Sequence, residues 1–312
     1  MTITDEDCLA ETLAFNEQFE AAAAGRPVRE GPPDAARLAA LRRNRLGGDT
    51  PPELLPQGQD RVVDGGVRVR VFVPEHVDGV YLHFHGGGWA FGSADGQDAR
   101  LWLLARRTRL AVVSVAYRLA PEHPFPAGPD DCEAAARWLV RHAADEFGSD
   151  RLLIGGESAG AHLGVLTLLR LRDRHGITGA FRAANLLFGP YDLSMTPSQR
   201  SFGSRRLLSD TGSLRRTYEL FTPGMGAEQR RAPEVSPLYA DLAGLPPARM
   251  VVGTEDPLLD DSLFLAGRWQ AAGAPVRLGV VAGAMHGFTL FPLTVTEREL
   301  RREQDFLSTA GR

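Results

Sequence analysis

The sequence predicts an α/β protein: a mostly parallel sheet of eight strands, with helices on both faces and a helical cap. Three observations carry this. From residue 80 onward, short Val/Leu/Ile runs alternate with helix-length amphipathic segments, the pattern of a parallel sheet buried on both faces. The chain of 312 residues is 43% hydrophobic, enough for one large domain with an appendage. Turn signals also separate nearly every pair of runs.

The elements follow in order. Residues 5–24 and 34–46 have helix-forming composition and are joined by the breaker GRPVREGPPD. Residues 1–50 therefore read as an N-terminal helical cap segment, and 51–312 as the main domain. GGDTPPELLPQG marks the change of regime. DRVV and VRVRVFVP then flank Asp64-Gly65-Gly66, a hairpin signal that opens the sheet in antiparallel fashion. VYLHF and LAVVSVAY are strands separated by a helix over 95–108. PDDCEAAARWLVRHAADEFG is a helix with Ala134, Ala135, Trp138 and Leu139 on its inner face, closed by Gly148. RLLIGG, AANLLF, ARMVVG and VRLGVV complete the eight strands. SAGAHLGVLTLLRLRDRHG, residues 259–273 and residues 294–309 are helices. An insertion at about 189–247, helix-like near Leu214–Phe221, interrupts the alternation and reads as a lid.

Composition excludes several function classes. The net charge is −4, so no broad basic field faces nucleic acid or an anionic membrane. There is no lysine; all 35 basic side chains are arginine. Cys8 and Cys132 form no CxxC pair and suit neither a disulfide framework nor a metal site. The acidic start MTITDEDCLAETLAF lacks the form of a secretory signal, and no apolar run is long enough to span a membrane. A cytoplasmic protein is expected. VRLGVV, read as an edge strand, offers a surface on which two copies could pair as a homodimer.

Gly156-Glu157-Ser158-Ala159-Gly160 fits G-x-S-x-G. Composition alone would produce about 0.15 such matches in a chain this long, so context decides. The match lies between a strand and a helix, where a serine stands exposed on a sharp turn and the glycines permit close approach. The bland alternative is a helix N-cap serine. A serine nucleophile needs a base, and the base needs an orienting acid. Of the histidines beyond Ser158, His162 lies one helical turn on and reads as packing, and His175 reads as a polar cap. His286, in AGAMHGF after the last strand, occupies a loop at the correct sheet edge. The candidate acids in GTEDPLLDD are Glu255, Asp256, Asp260 and Asp261. Asp256, three residues past Gly253 with Pro257 fixing the chain behind it, is chosen; Asp260 is the fallback, and Asp260 and Asp261 read as helix-start residues. HGGGW at 85–89 follows a strand and offers backbone N–H groups to an oxyanion. A phosphate loop would need a lysine the chain lacks. Trp89, Leu258 and Phe288 flank these motifs and are expected to line a substrate pocket.

HGGGW before GESAG, with YRLAPEHPFPA between them and DPL and HGF after, resembles the hormone-sensitive-lipase-like family of α/β-hydrolase esterases from about residue 60 onward. The resemblance implies an α/β-hydrolase fold, a Ser158–Asp256–His286 triad, oxyanion donors at Gly87, Gly88 and Ala159, and His85 as a brace for the glycine loop. Glu157 stands where the family often has Asp, Ala161 where it often has Gly, and Asp260-Asp261 where it often has Asp-Glu. Ala161 narrows the space beneath the serine turn. The expected reaction is hydrolysis of short- to medium-chain acyl esters through an acyl-enzyme, with a small-molecule ester as partner and no metal or organic cofactor. An amidase or deacetylase, an acyltransferase and a non-catalytic small-molecule binder are the other readings of the same residues.

Overall fold

All eight expected strands form, because each carries the β-branched and apolar residues that a sheet buried on both faces selects. The computed structural model describes residues 2–24, 38, 39, 42 and 54–311. The strands are β2 (Gly58–Val63), β3 (Val67–Phe72), β4 (Gly79–Phe84), β5 (Leu110–Ala116), β6 (Leu152–Glu157), β7 (Phe181–Leu187), β8 (Ala248–Glu255) and β9 (Val276–Met285). A ninth, β1 (Thr2–Thr4), joins them in the order β1-β9-β8-β7-β6-β4-β5-β3-β2. Strand β3 runs antiparallel to both neighbours, and the Asp64-Gly65-Gly66 turn closes the β2–β3 hairpin with Val63 opposite Val67. All other pairs are parallel.

Strand β1 corrects one expectation. VRLGVV is not an edge, because Thr2 to Thr4 pair with Gly279 to Val281 along it. Three residues are too few for any periodicity to announce a strand, so the cover is invisible in sequence. The segment read as a pairing surface for a second copy is thus covered by β1 at Gly279 to Val281.

The helices are α1 (Leu9–Ala24), α2 (Asp98–Thr108), α3 (Ala127–Phe147), α4 (Ala159–His175), α5 (Pro197–Ser201), α6 (Thr211–Phe221), α7 (Ala227–Arg230), α8 (Leu259–Ala271) and α9 (Thr294–Thr309). Helix α3 turns Ala135, Trp138 and Leu139 into the core, with Ala134 half-buried beside them. Helix α4 is buried throughout its first thirteen residues, the polar His162, Thr167 and Arg170 included. The helix expected at 34–46 lies outside the described residues except for residues 38, 39 and 42. Helices α5 to α7 belong to the insertion between β7 and β8, and α6 contains the expected Leu214–Phe221 segment.

The acids at the start of α8 do more than the expected helix capping. Asp261, fully buried, accepts the N–H groups of Tyr191 and Asp192 at 2.7 and 2.9 Å, the Thr196 hydroxyl at 2.8 Å and the Gln199 amide at 2.7 Å. Asp260 accepts the Ser198 N–H at 2.8 Å. Both carboxylates thus tie the start of the insertion to the sheet domain. His175 likewise pairs with Glu133 of α3, at 2.6 Å, instead of capping its own helix. Cys8 and Cys132 are buried and free.

Candidate active site

Four chain segments meet at the carboxyl edge of the parallel strands, where open α/β sheets bind ligands. They follow β6 (Ser158), β4 (residues 85–92), β8 (Asp256) and β9 (His286). Ser158 joins β6 directly to α4 with φ 55° and ψ −121°, a left-handed conformation that a non-glycine residue adopts only at a cost of about 1–3 kcal/mol. The turn is held by the Ser158 N–H to the Leu187 carbonyl at 2.9 Å and the His162 N–H to the Ser158 carbonyl at 3.2 Å. Its flanking glycines are required by contact. A Cβ on Gly156 would lie 2.1 Å from the Phe84 carbonyl oxygen, and one on Gly160 only 1.9 Å from the same atom.

The three residues expected to act together do converge. Ser158 Oγ lies 2.9 Å from His286 Nε2, and His286 Nδ1 lies 3.0 and 3.2 Å from the two carboxylate oxygens of Asp256. A carboxylate can only accept, so Nδ1 carries the proton and the Nε2 lone pair faces the serine hydroxyl. Asp256 is oriented in turn by the Leu258 N–H at 2.8 Å. Ser158, His286 and Asp256 are 9%, 7% and 2% exposed. The fallback acid, Asp260, bonds to Ser198 instead.

The glycine loop is wound tightly. Gly87, Gly88 and Trp89 have φ values of 128°, 57° and 57°, and a Cβ on Gly87 would lie 2.2 Å from the Phe91 carbonyl oxygen. The Phe91 N–H closes the turn on the Gly87 carbonyl at 2.9 Å. Ala159 is the first residue of α4, so its N–H has no carbonyl four residues back within the helix. His85 is buried, stacked on Tyr117 at 4.3 Å, and the Tyr117 hydroxyl donates to the His85 carbonyl at 2.7 Å. Glu157 Oε1 accepts the Gly86 N–H at 3.1 Å, while Oε2 lies 3.0 Å from His83 Nε2. Burial alone would raise the pKa of this carboxyl. His83, Arg100 and Gln97 outweigh that effect and hold it well below the ordinary carboxylate range.

The residues expected to line the pocket are buried. Trp89, Leu258 and Phe288 are 2%, 1% and 0% exposed and pack into the core. Trp89 stacks on Phe221 of α6 at 4.4 Å, and its indole N–H donates to His162 Nδ1 at 3.2 Å. An aromatic beside a motif has the same letter whether it lines a pocket or seals a loop, so the sequence does not separate the two.

His162 is the residue whose part was missed. Its Nε2 donates to the Val235 carbonyl at 2.8 Å, which leaves Nδ1 as the acceptor for Trp89. One neutral imidazole thus joins the serine's helix, the glycine loop and the insertion. Burial pushes its pKa down to about 4; the Arg170 charge adds to this and the Val235 carbonyl opposes it. The unfolded chain, near 6.5, takes up the proton first as pH falls. The stability that neutral His162 confers is full above pH 6.5 and is lost as pH falls toward 4, up to about 3 kcal/mol. Urea midpoints should therefore show wild type losing about 2 to 3 kcal/mol more than His162→Asn between pH 6.5 and 4.5. A pH-independent difference between the two would sink this assignment.

The insertion reaches both sides of the site. A Cβ on Gly287, beside His286, would lie 2.6 Å from Leu208 Cδ2, and one on Gly88 would lie 2.8 Å from Thr217 Cγ2. Arg205 of the insertion bonds to Glu20 of α1 at 3.0 Å and to Glu255, next to Asp256. Among the described residues, no group of three or more His, Cys, Asp or Glu could hold a metal ion, and no helix is long and apolar enough to cross a membrane.

The chain is similar to known proteins over most of its length. Residues 81–290 match a family model described as alpha/beta hydrolase fold. The carboxylesterase NlhH of Mycobacterium tuberculosis is 36% identical over 287 residues, covering 86% of this chain and 87% of the relative. The ethyl acetate hydrolase of Pseudomonas putida is 33% identical over 229 residues, or 70% of each chain. Among solved structures, a hormone-sensitive lipase from a metagenome library superposes with a TM-score of 0.80 at 28% identity, covering 99% of this chain and 100% of the other. The chain belongs to the hormone-sensitive-lipase-like family of α/β-hydrolase esterases and is a carboxylic ester hydrolase.

Proposed function

We propose that Ser158, His286 and Asp256 carry out ester hydrolysis on short- to medium-chain acyl esters, with Gly87, Gly88 and Ala159 donating to the oxyanion. The observation that carries this reading is the unbroken line of hydrogen bonds from Ser158 Oγ through His286 to Asp256. His286 Nε2 takes the hydroxyl proton as Ser158 attacks the ester carbonyl. Asp256 keeps the imidazole in the required tautomer and stabilises its positive charge. The N–H groups of the glycine loop and of the α4 start bind the developing oxyanion, the latter aided by the helix dipole. His286 then protonates the departing alcohol, and water reverses the sequence to release the acid. This chemistry needs no group beyond those residues.

Helix α1 and the 189–247 insertion act as the cap. Their support is the approach of Leu208 to Gly287, of Thr217 to Gly88, and the Glu20–Arg205–Glu255 link. A site crowded from both sides favours short acyl groups, and among the relatives are an ethyl acetate hydrolase and an acetyl esterase. Two buried free cysteines suit a reducing compartment, and we assign the activity to the cytoplasm.

The test is kcat/KM on p-nitrophenyl acetate, butyrate, octanoate and palmitate, with p-nitroacetanilide as the matched amide. Turnover should peak between acetate and octanoate and fall at least about tenfold on palmitate, an energetic difference of roughly 1.4 kcal/mol. A maximum at palmitate would overturn the chain-length assignment. Comparable rates on the acetate ester and the anilide would move the reading to an amidase.

A further inference from the structure

The carboxylate beside the nucleophile is not used by the mechanism, yet it is among the most heavily bonded groups in the molecule. Glu157 is 3% exposed and receives hydrogen bonds from Gly86 N–H at 3.1 Å, from the Gln97 amide and from His83 at 3.0 Å. Arg100 Nη1 stands 3.6 Å from its Oε2. Arg100 is held on its other side by Glu303 of α9, at 2.9 and 3.0 Å. Glu303 also accepts from Asn185 of β7 at 2.9 Å, and Asn185 accepts from Arg249 of β8 at 3.1 Å. Arg249 in turn pairs with Glu299 of α9. A buried polar chain therefore runs from the glycine loop to the C-terminal helix.

Such a chain is a poor source of stability. Desolvating buried ions costs about as much as their attraction returns, and apolar replacements are often neutral or better. Here it has one positional consequence. Gly86 is the residue immediately before Gly87 and Gly88, so the Glu157–Gly86 bond anchors the entrance of a loop in which Gly87, Gly88, Trp89 and Gly92 sit at positive φ. Glycines give that loop freedom to turn its N–H groups, and the same freedom lets it relax away from them. Glu157 is also covalently adjacent to Ser158. One side chain thus references the loop that would bind the oxyanion to the residue that would attack.

We infer that Glu157 is a positioning residue for ester hydrolysis: held by Arg100, His83 and Gln97, it fixes Gly86 and so aims the Gly87 and Gly88 N–H groups at the oxyanion. This rests on the reading of Ser158 as nucleophile given above. Two features follow. The effect belongs to the transition state, because the ground-state carbonyl makes weaker demands on those donors. It also reaches α9, since removing the charge of Glu303 releases Arg100 from one side.

The experiment compares wild type, Glu157→Gln and Glu303→Gln. It measures kcat and KM on p-nitrophenyl butyrate and the Ki of an alkyl trifluoromethyl ketone, which forms a tetrahedral adduct. For Glu157→Gln, kcat should fall about tenfold to a hundredfold with KM within twofold, and Ki should rise by the same factor as kcat falls. Glu303→Gln should shift both in the same direction by a smaller factor, and decides the matter should Glu157→Gln fail to fold. Unchanged kcat and Ki in a folded Glu157→Gln, or in Glu303→Gln where that variant alone is soluble, would overturn the inference. So would a fall in melting temperature alone. Failure of the underlying reading looks different: wild type would show no turnover that depends on Ser158.

Discussion

Replacing Ser158 with alanine is expected to lower kcat on p-nitrophenyl esters by about 10⁴- to 10⁶-fold. The hydroxyl is the group that would form the covalent bond, and it lies 2.9 Å from His286 Nε2. The glycine loop and the α4 start remain, so a residual rate above that of water is expected from the oxyanion donors. The substitution should barely disturb the fold. Ser158 Oγ makes its bond to His286 alone among the described residues, and alanine meets the same positive φ that serine already tolerates. Intact-protein mass spectrometry after treatment with a fluorophosphonate provides an independent readout. One adduct should form on wild type and none on Ser158→Ala. Retained turnover, or an adduct on the variant, would remove Ser158 from the nucleophile's role.

The second large effect is expected at Asp256. Asp256→Asn is nearly isosteric, and its amide oxygen would keep the Leu258 N–H, which now donates to Oδ1 at 2.8 Å. The amide NH₂ would then face His286 Nδ1, where a carboxylate oxygen now lies at 3.0 Å. A donor there drives the imidazole into the other tautomer, with the proton on Nε2 pointing at the serine. The base is lost although the geometry survives, and kcat should fall by about 10⁴-fold. Asp260→Asn is the control, because that carboxylate serves the Ser198 N–H at 2.8 Å and not the histidine. If Asp260→Asn caused the larger loss, the acid would have to be reassigned.

Much of this site was legible in the chain, and the reason is local. The serine's motif works through glycines that sit two residues either side of it, and its meaning depends only on the strand before and the helix after. The order serine, acid, histidine is the one the G-x-S-x-G strand–turn–helix arrangement carries. Asp256 and His286 after successive strands reach the serine's edge because parallel strands deliver all their carboxyl ends there. Choosing Asp256 over Asp260 also needed only its proximity to the strand end. The expected eight strands and the terminal helix at 294–309 were likewise readable from apolar runs of sufficient length.

What the sequence left open is what depends on partners far along the chain. Trp89 carries no mark that it stacks on Phe221, and His162 none that it bridges Trp89 and Val235, each 73 residues away. Asp261 reads as a helix-start acid, and its four donors come from a segment more than 60 residues earlier. Strand β1 is too short to show a period and exists through its pairing with Gly279 to Val281. Sequence by itself determined which groups reach one sheet edge: a serine, a histidine and an aspartate beside a run of glycines. Only the tertiary structure decided how that edge is held, through buried hydrogen bonds from Glu157, His162 and Asp261. Such bonds are specified by proximity in space, and a buried polar group finds its partner wherever the packed chain presents one.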